Sequence, residues 1–115
     1  MAPITNLNYI IKTVENKESL IDVINLFLQQ TQEDLCSIND AIMKTDYPNI
    51  RKIAYKIRSS TSVMGVSILS PILKRMEHLA GIASGIEEIK QLNMQVTAVY
   101  KQVIEELEMK KLKYF

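Results

Sequence analysis

Apolar residues recur along this chain at steps of three and four rather than in alternation, which is the signature of helices with one buried face. The breakers are few and well spaced: Gly65, Gly81 and Gly85, and Pro3, Pro48 and Pro71. The longest run follows Asn16, a good N-cap residue. Leu20, Ile24, Phe27, Thr31, Leu35, Ile38 and Ile42 form its stripe, widened by Ile21 and Leu28. This predicts about seven turns, roughly 40 Å of helix. Gln29, Gln30, Glu33, Asp34 and Asp40 are expected on its polar face. Asp46 or Tyr47 is then placed to cap a second helix with Pro48 in its first turn, where the missing N–H costs nothing. Its expected inner stripe is Ile50, Ile53, Ile57, Ser60 or Thr61, and Met64, with Gly65 as the stop.

A third helix begins near Ser67 or Ser70, either a candidate cap, and carries Pro71 early. Leu69, Ile72, Leu73, Met76, Leu79 and Ala80 point inward until Gly81 and Gly85 end it. Ile86, Ile89, Leu92, Val96, Val99, Val103 and Leu107 predict the fourth, whose last turns hold Lys110, Lys111 and Lys113, favourable at the negative end of the helix dipole. Leu7 to Val14 reads as a short lead-in helix closing one end. Connections of a few residues force neighbouring helices antiparallel. The expected fold is all-α: an up-down-up-down four-helix bundle with a short N-terminal helix.

Composition narrows the possibilities. The 115 residues suit one domain spanning residues 1–115. A formal net charge of +1 argues against a nucleic-acid binder driven by a basic field. No apolar run reaches the roughly 18 residues of a membrane span, so neither membrane nor nucleic acid is an expected partner and the expected location is cytoplasmic. Cys36 is the lone cysteine, expected half-buried, and it rules out an internal disulfide. Met43, Met64, Met76, Met94 and Met109 read as core or near-core fillers. A di-metal bundle site would need inward carboxylates and a Glu-x-x-His pair. Glu77 and His78 are adjacent and cannot face the same way, and the stripes above hold no acid, so no metal or cofactor is expected.

One segment carries candidate chemistry. Ala54-Tyr55-Lys56-Ile57-Arg58-Ser59-Ser60, with Gly65 beyond it, resembles the active helix of histidine-containing phosphotransfer (HPt) domains, which reads roughly Ala-His-x-Leu-Lys-Gly/Ser-Ser. Leu26 to Thr31 with Asp34-Leu35, Asp46-Tyr47-Pro48-Asn49, and Leu73-Lys74-Arg75-Met76-Glu77 resemble other parts of the family, in order, from about Leu7 to Leu107. The resemblance implies a helical bundle that presents a histidine to receiver domains and passes a phosphoryl group between their aspartates. It places Tyr55 at the histidine's position, Arg58 as the neighbouring cation and Ser59 as the small residue that admits the receiver's loops. Lys52 and Ser62 share that face, and Arg51 and Lys56 flank it.

A phenol of pKa about 10 is a poor substitute for an imidazole of pKa about 6.5, and a tyrosyl phosphate is a stable ester rather than a relay intermediate. The resemblance therefore implies a pseudo-phosphotransfer module, with no catalytic residue, that docks on the receiver domain of a response regulator or hybrid histidine kinase. A second reading is an active phosphotransfer protein in which the histidine at position 55 was replaced by tyrosine. A third is an interaction bundle with no receiver affinity. His78, the single histidine, lacks the motif around it and reads as a solvated surface residue. The cluster Arg51, Lys52, Lys56 and Arg58 is either a docking surface or an ordinary solvated face. A monomer is the simplest expectation.

Overall fold

The computed structural model describes residues 3–113. Five helices follow in order: α1 Asn8–Thr13, α2 Lys17–Met43, α3 Tyr47–Val63, α4 Leu69–Gly81 and α5 Ile86–Lys113. Contacts join α2 to α3, α3 to α4, α4 to α5 and α5 back to α2, which closes the four long helices into the expected antiparallel bundle. The long axis is 45 Å, a little more than the roughly 40 Å that the 27-residue α2 spans.

The N-caps are those the side-chain chemistry favours. Asn16 accepts the backbone N–H of Ser19 at 2.8 Å, and Asp46, not Tyr47, accepts that of Asn49 at 3.4 Å. The third long helix departs from expectation. Neither Ser67 nor Ser70 caps it; Ile68 holds the cap position without a side-chain hydrogen bond.

Helix ends share one device. After α2, α3 and α4 the chain turns through a left-handed residue: Thr45 (φ 50°), Gly65 (φ 71°) and Ala83 (φ 51°). In each case the next N–H reaches back to a helical carbonyl: Asp46 to Ala41, Val66 to Thr61 and Ser84 to Leu79, at 2.8–3.0 Å. Gly65 is the expected stop. α4 ends at Gly81 as expected, but the left-handed turn beyond it is made by Ala83, and Gly85 (φ 76°) leads into α5.

Leu20, Ile24, Phe27, Ile38, Ile50, Ile57, Met64, Leu69, Leu73, Met76, Ile89, Val96, Val103 and Leu107 fill the core as their spacing predicts. Each wholly buried aliphatic side chain contributes about 1.5–3 kcal/mol relative to exposure. Leu35, Ile53, Ile72, Leu92 and Val99 sit only at its edge. Between Ser60 and Thr61 the core takes Thr61, whose hydroxyl bonds the Ile57 carbonyl at 2.8 Å.

Several expectations are overturned. Asp34 is buried, not on the polar face. Tyr100 and Asn93 also enter the core: the Tyr100 hydroxyl donates to the Leu28 carbonyl at 2.9 Å, and Asn93 bonds Asn39 across α5 and α2 at 2.6 Å. Burial pushes the Tyr100 phenol up to about 12, the Thr31 hydroxyl opposing and the charge of Asp34 adding to the rise. Cys36 is exposed. Only Met64 and Met76 of the methionines singled out are buried. Met43, Met94 and Met109 face solvent, since they lie outside the stripes their helices bury.

Residues preceding α1 form a strap across one end of the bundle. The Asn6 N–H donates to the Met64 carbonyl at 2.9 Å, while the N–H groups of Ile4 and Thr5 donate to the Glu106 carboxylate at 2.9 and 2.8 Å. The Thr5 hydroxyl also donates to Glu106, and Lys110 reaches the Thr5 carbonyl at 3.1 Å. Ile10 anchors α1 below the strap, with Tyr9 and Ile11 outside.

Candidate functional site

The helical period of α3 sets the geometry. Ile50, Ala54, Ile57 and Thr61 face the core, so Arg51, Lys52, Tyr55, Ser59 and Ser62 turn to solvent. Tyr55 lies midway along the helix with 56% of its surface exposed. Its neighbours divide into two groups.

Arg58 is half-buried and committed. Its Nε donates to Glu77 Oε2 at 2.6 Å and a terminal N–H to Glu77 Oε1 at 3.1 Å, a forked pair reaching across to α4. Hydrogen bonding to Glu77 raises the guanidinium's pKa further, against the lowering effect of burial. The same guanidinium lies 5.2 Å from the centre of the Tyr55 ring, within cation–π range. Arg51 runs beside Gly81, near the C-terminal end of α4, where a positive charge is favourable.

Lys56 points the other way. Its ammonium meets Asp34 Oδ1 at 3.1 Å, and Gln30 donates to the same oxygen at 3.4 Å. Asp34 Oδ2 is buried with no hydrogen-bond partner. Between α2 and α3 runs an open groove of about 510 Å³, bordered by Lys52, Tyr55, Lys56 and Ser59 on one side and by Asp34 and Ser37 on the other. The groove gathers four of the seven residues expected at the site. Arg51, Arg58 and Ser62 lie outside it.

The cationic cluster is therefore weaker than its composition implies. Glu77 neutralises Arg58 and Asp34 neutralises Lys56, leaving Arg51 and Lys52 without ion pairs among the described residues. The two acids that do this were missed as site residues. The spacing along α2 places Asp34 in solvent, and Glu77 enters the sequence reading as part of a signature and as a rejected metal ligand, not as a partner of Arg58. His78 is exposed in the last turn of α4, one residue beyond Glu77.

Among the described residues no group of three or more His, Cys, Asp or Glu side chains is arranged to hold a metal ion, and no helix is long and apolar enough to cross a membrane. No family model matches the chain, and no curated protein matches it in sequence. Among solved structures, the fold is similar to the crystal structure of histidine-containing phosphotransfer protein B (HptB) from Pseudomonas aeruginosa PAO1. The TM-score is 0.64 and the identity 20%, over 100% of each chain. At that identity the likeness is one of fold: an all-helical bundle of the kind HptB adopts.

Proposed function

We propose that the chain is one HPt-like domain that docks on receiver domains of response regulators or hybrid histidine kinases and accepts no phosphoryl group at Tyr55. The observation that carries this reading is the half-exposed Tyr55 in the middle of α3, set among Lys52, Ser59 and Arg58 on a bundle of HPt fold. A phosphotransfer face needs an accessible nucleophile at mid-helix, a cation within a turn and a small residue beside it. Tyr55, Arg58 and Ser59 fill these three positions, with a phenol where an imidazole would react.

Docking remains available to such a face. Tyrosine is enriched at the energetic centres of interfaces, and the ring here stands beside an open groove. Lys52 and Arg51 carry the charge that an acidic receiver pocket would meet. The domain acts as a monomer in the cytoplasm, without cofactor, membrane or nucleic acid, and competes with active phosphotransfer partners for the receiver.

The test is phosphoryl transfer from a panel of phosphorylated receiver domains to the wild type and to Tyr55→His. The expected result is acid-labile label in Tyr55→His alone, with wild-type binding to the same receiver reduced by Tyr55→Ala. Acid-labile label in the wild type would assign the chemistry to His78 and overturn the reading. Absence of both label and binding would leave an interaction bundle of HPt shape.

A further inference from the structure

Tyr55 is a long, exposed side chain on a convex helix, and an unsupported ring there would sample several rotamers. An anchor that must be ordered on docking loses part of its contribution to that ordering. The ring here has the Arg58 guanidinium 5.2 Å from its centre. Arg58 is itself a flexible side chain and could not hold a ring in place alone. Its orientation is set from outside α3, by the two oxygens of Glu77 on Nε and a terminal nitrogen, at 2.6 and 3.1 Å. That fork fixes the plane of the guanidinium as well as its position. Glu77 is 15% exposed and Arg58 24%, so the pair is partly shielded from water.

We propose that Glu77 is a positioning residue for the docking face: from α4, through Arg58, it presets the Tyr55 ring in the orientation that a receiver meets. The inference rests on the receiver-docking reading above. It names a residue on a different helix from Tyr55, and it changes what the cation at position 58 is for. Paired with Glu77, Arg58 brings no net charge to the face. It brings a flat platform for the ring and three N–H donors left over from the five of a guanidinium.

Positioning and bulk charge make opposite predictions for one substitution. Glu77→Gln removes a negative charge, so a face that worked by net positive charge would bind an acidic receiver more tightly. A face that works by preset geometry would bind less tightly, because the amide's NH₂ group meets an Arg N–H and the fork is lost.

The experiment measures binding of the panel's receiver domains to wild type, Glu77→Gln and Arg58→Lys, together with the Tyr55 ring and Arg58 Nε–H signals by NMR. The expected result is binding about three- to fivefold weaker in both variants, the worth of one partly exposed cation–π contact. The Tyr55 ring signals shift, and the Arg58 Nε–H exchanges faster with water in Glu77→Gln. Tighter binding by Glu77→Gln, or unmoved Tyr55 signals, overturns the positioning role while leaving docking intact. A wild type that binds no receiver overturns the docking reading, and the role with it, whatever the NMR signals do. Should Glu77→Gln fail to fold, Arg58→Lys decides alone: it keeps the charge and loses the fork, so undiminished binding refutes the proposal.

Discussion

Asp34 shows how much one misassigned side chain matters. Its carboxylate is 7% exposed, with Lys56 on one oxygen and no partner on the other. Removing the ammonium leaves the buried charge with only the Gln30 amide, at 3.4 Å, beside it. Lys56→Met is expected to cost about 1–3 kcal/mol, toward the lower end because the lysine is itself half exposed. The midpoint of urea unfolding measures the loss, and an unchanged midpoint would mean that water already serves the carboxylate. The sequence did not reveal this pair for a definite reason. Asp34 and Leu35 both lie within one turn of Thr31 and of Ile38, so spacing admits either to the stripe, and residue type favours leucine. The decision is made by what α3 presents opposite, and Lys56 offers Asp34 a partner that no pattern along α2 encodes. Tyr100 and Asn93 were missed in the same way: each is polar at its tip, and each finds its hydrogen bond on α2, out of reach of local inference.

Among the elements, the three left-handed turns form a natural comparison. Only the one at Gly65 was legible, because only glycine marks such a turn in sequence. Thr45 and Ala83 adopt the same backbone with a Cβ that disfavours it by about 1–2 kcal/mol. Ala83→Gly should therefore raise stability by roughly 0.5–1 kcal/mol, the relief being partly offset by the greater freedom of glycine in the unfolded chain. Gly65→Ala should lower it by more than about 1 kcal/mol. An added Cβ there would stand 2.5 Å from the Asn6 carbonyl oxygen, so strain in the turn is joined by collision with the strap. Thermal unfolding of the two variants checks both signs. If they shift the midpoint in the same direction, backbone conformation is not what governs these turns.

For the whole molecule, four amphipathic stripes and short connections were enough to deduce the bundle, because antiparallel packing is the arrangement that buries all four at once. The solvent face of α3 was legible too, since it is the complement of a buried stripe. What joins one helix to another was not: Glu77 to Arg58, Asp34 to Lys56, and Glu106 to the strap are side-chain meetings between distant parts of the chain. The last carries a pH dependence. Burial pushes the Glu106 carboxyl up, but the Thr5 hydroxyl, the backbone N–H groups of Ile4 and Thr5, and the charge of Lys110 together bring it below its ordinary value of 4.5. A depressed carboxyl stabilises the fold above the unfolded-state value, and that contribution disappears as pH falls through the folded one. Stability measured from pH 7 downward should drop below about 4.5, and Glu106→Gln should start lower at pH 7 and decline less. Parallel pH curves for the two proteins would show that the strap is held by something other than the charge.

That strap joins residues 101 and 102 positions apart. Closing so long a ring costs chain entropy that grows only with the logarithm of its length, and the four helices meet most of that cost when they pack. The strap's hydrogen bonds need partners that only the assembled bundle brings together, so they are expected among the latest contacts made in folding. Amide exchange at Ile4, Thr5 and Asn6 as slow as at the middle of α3 would show instead that the strap opens only with the whole fold.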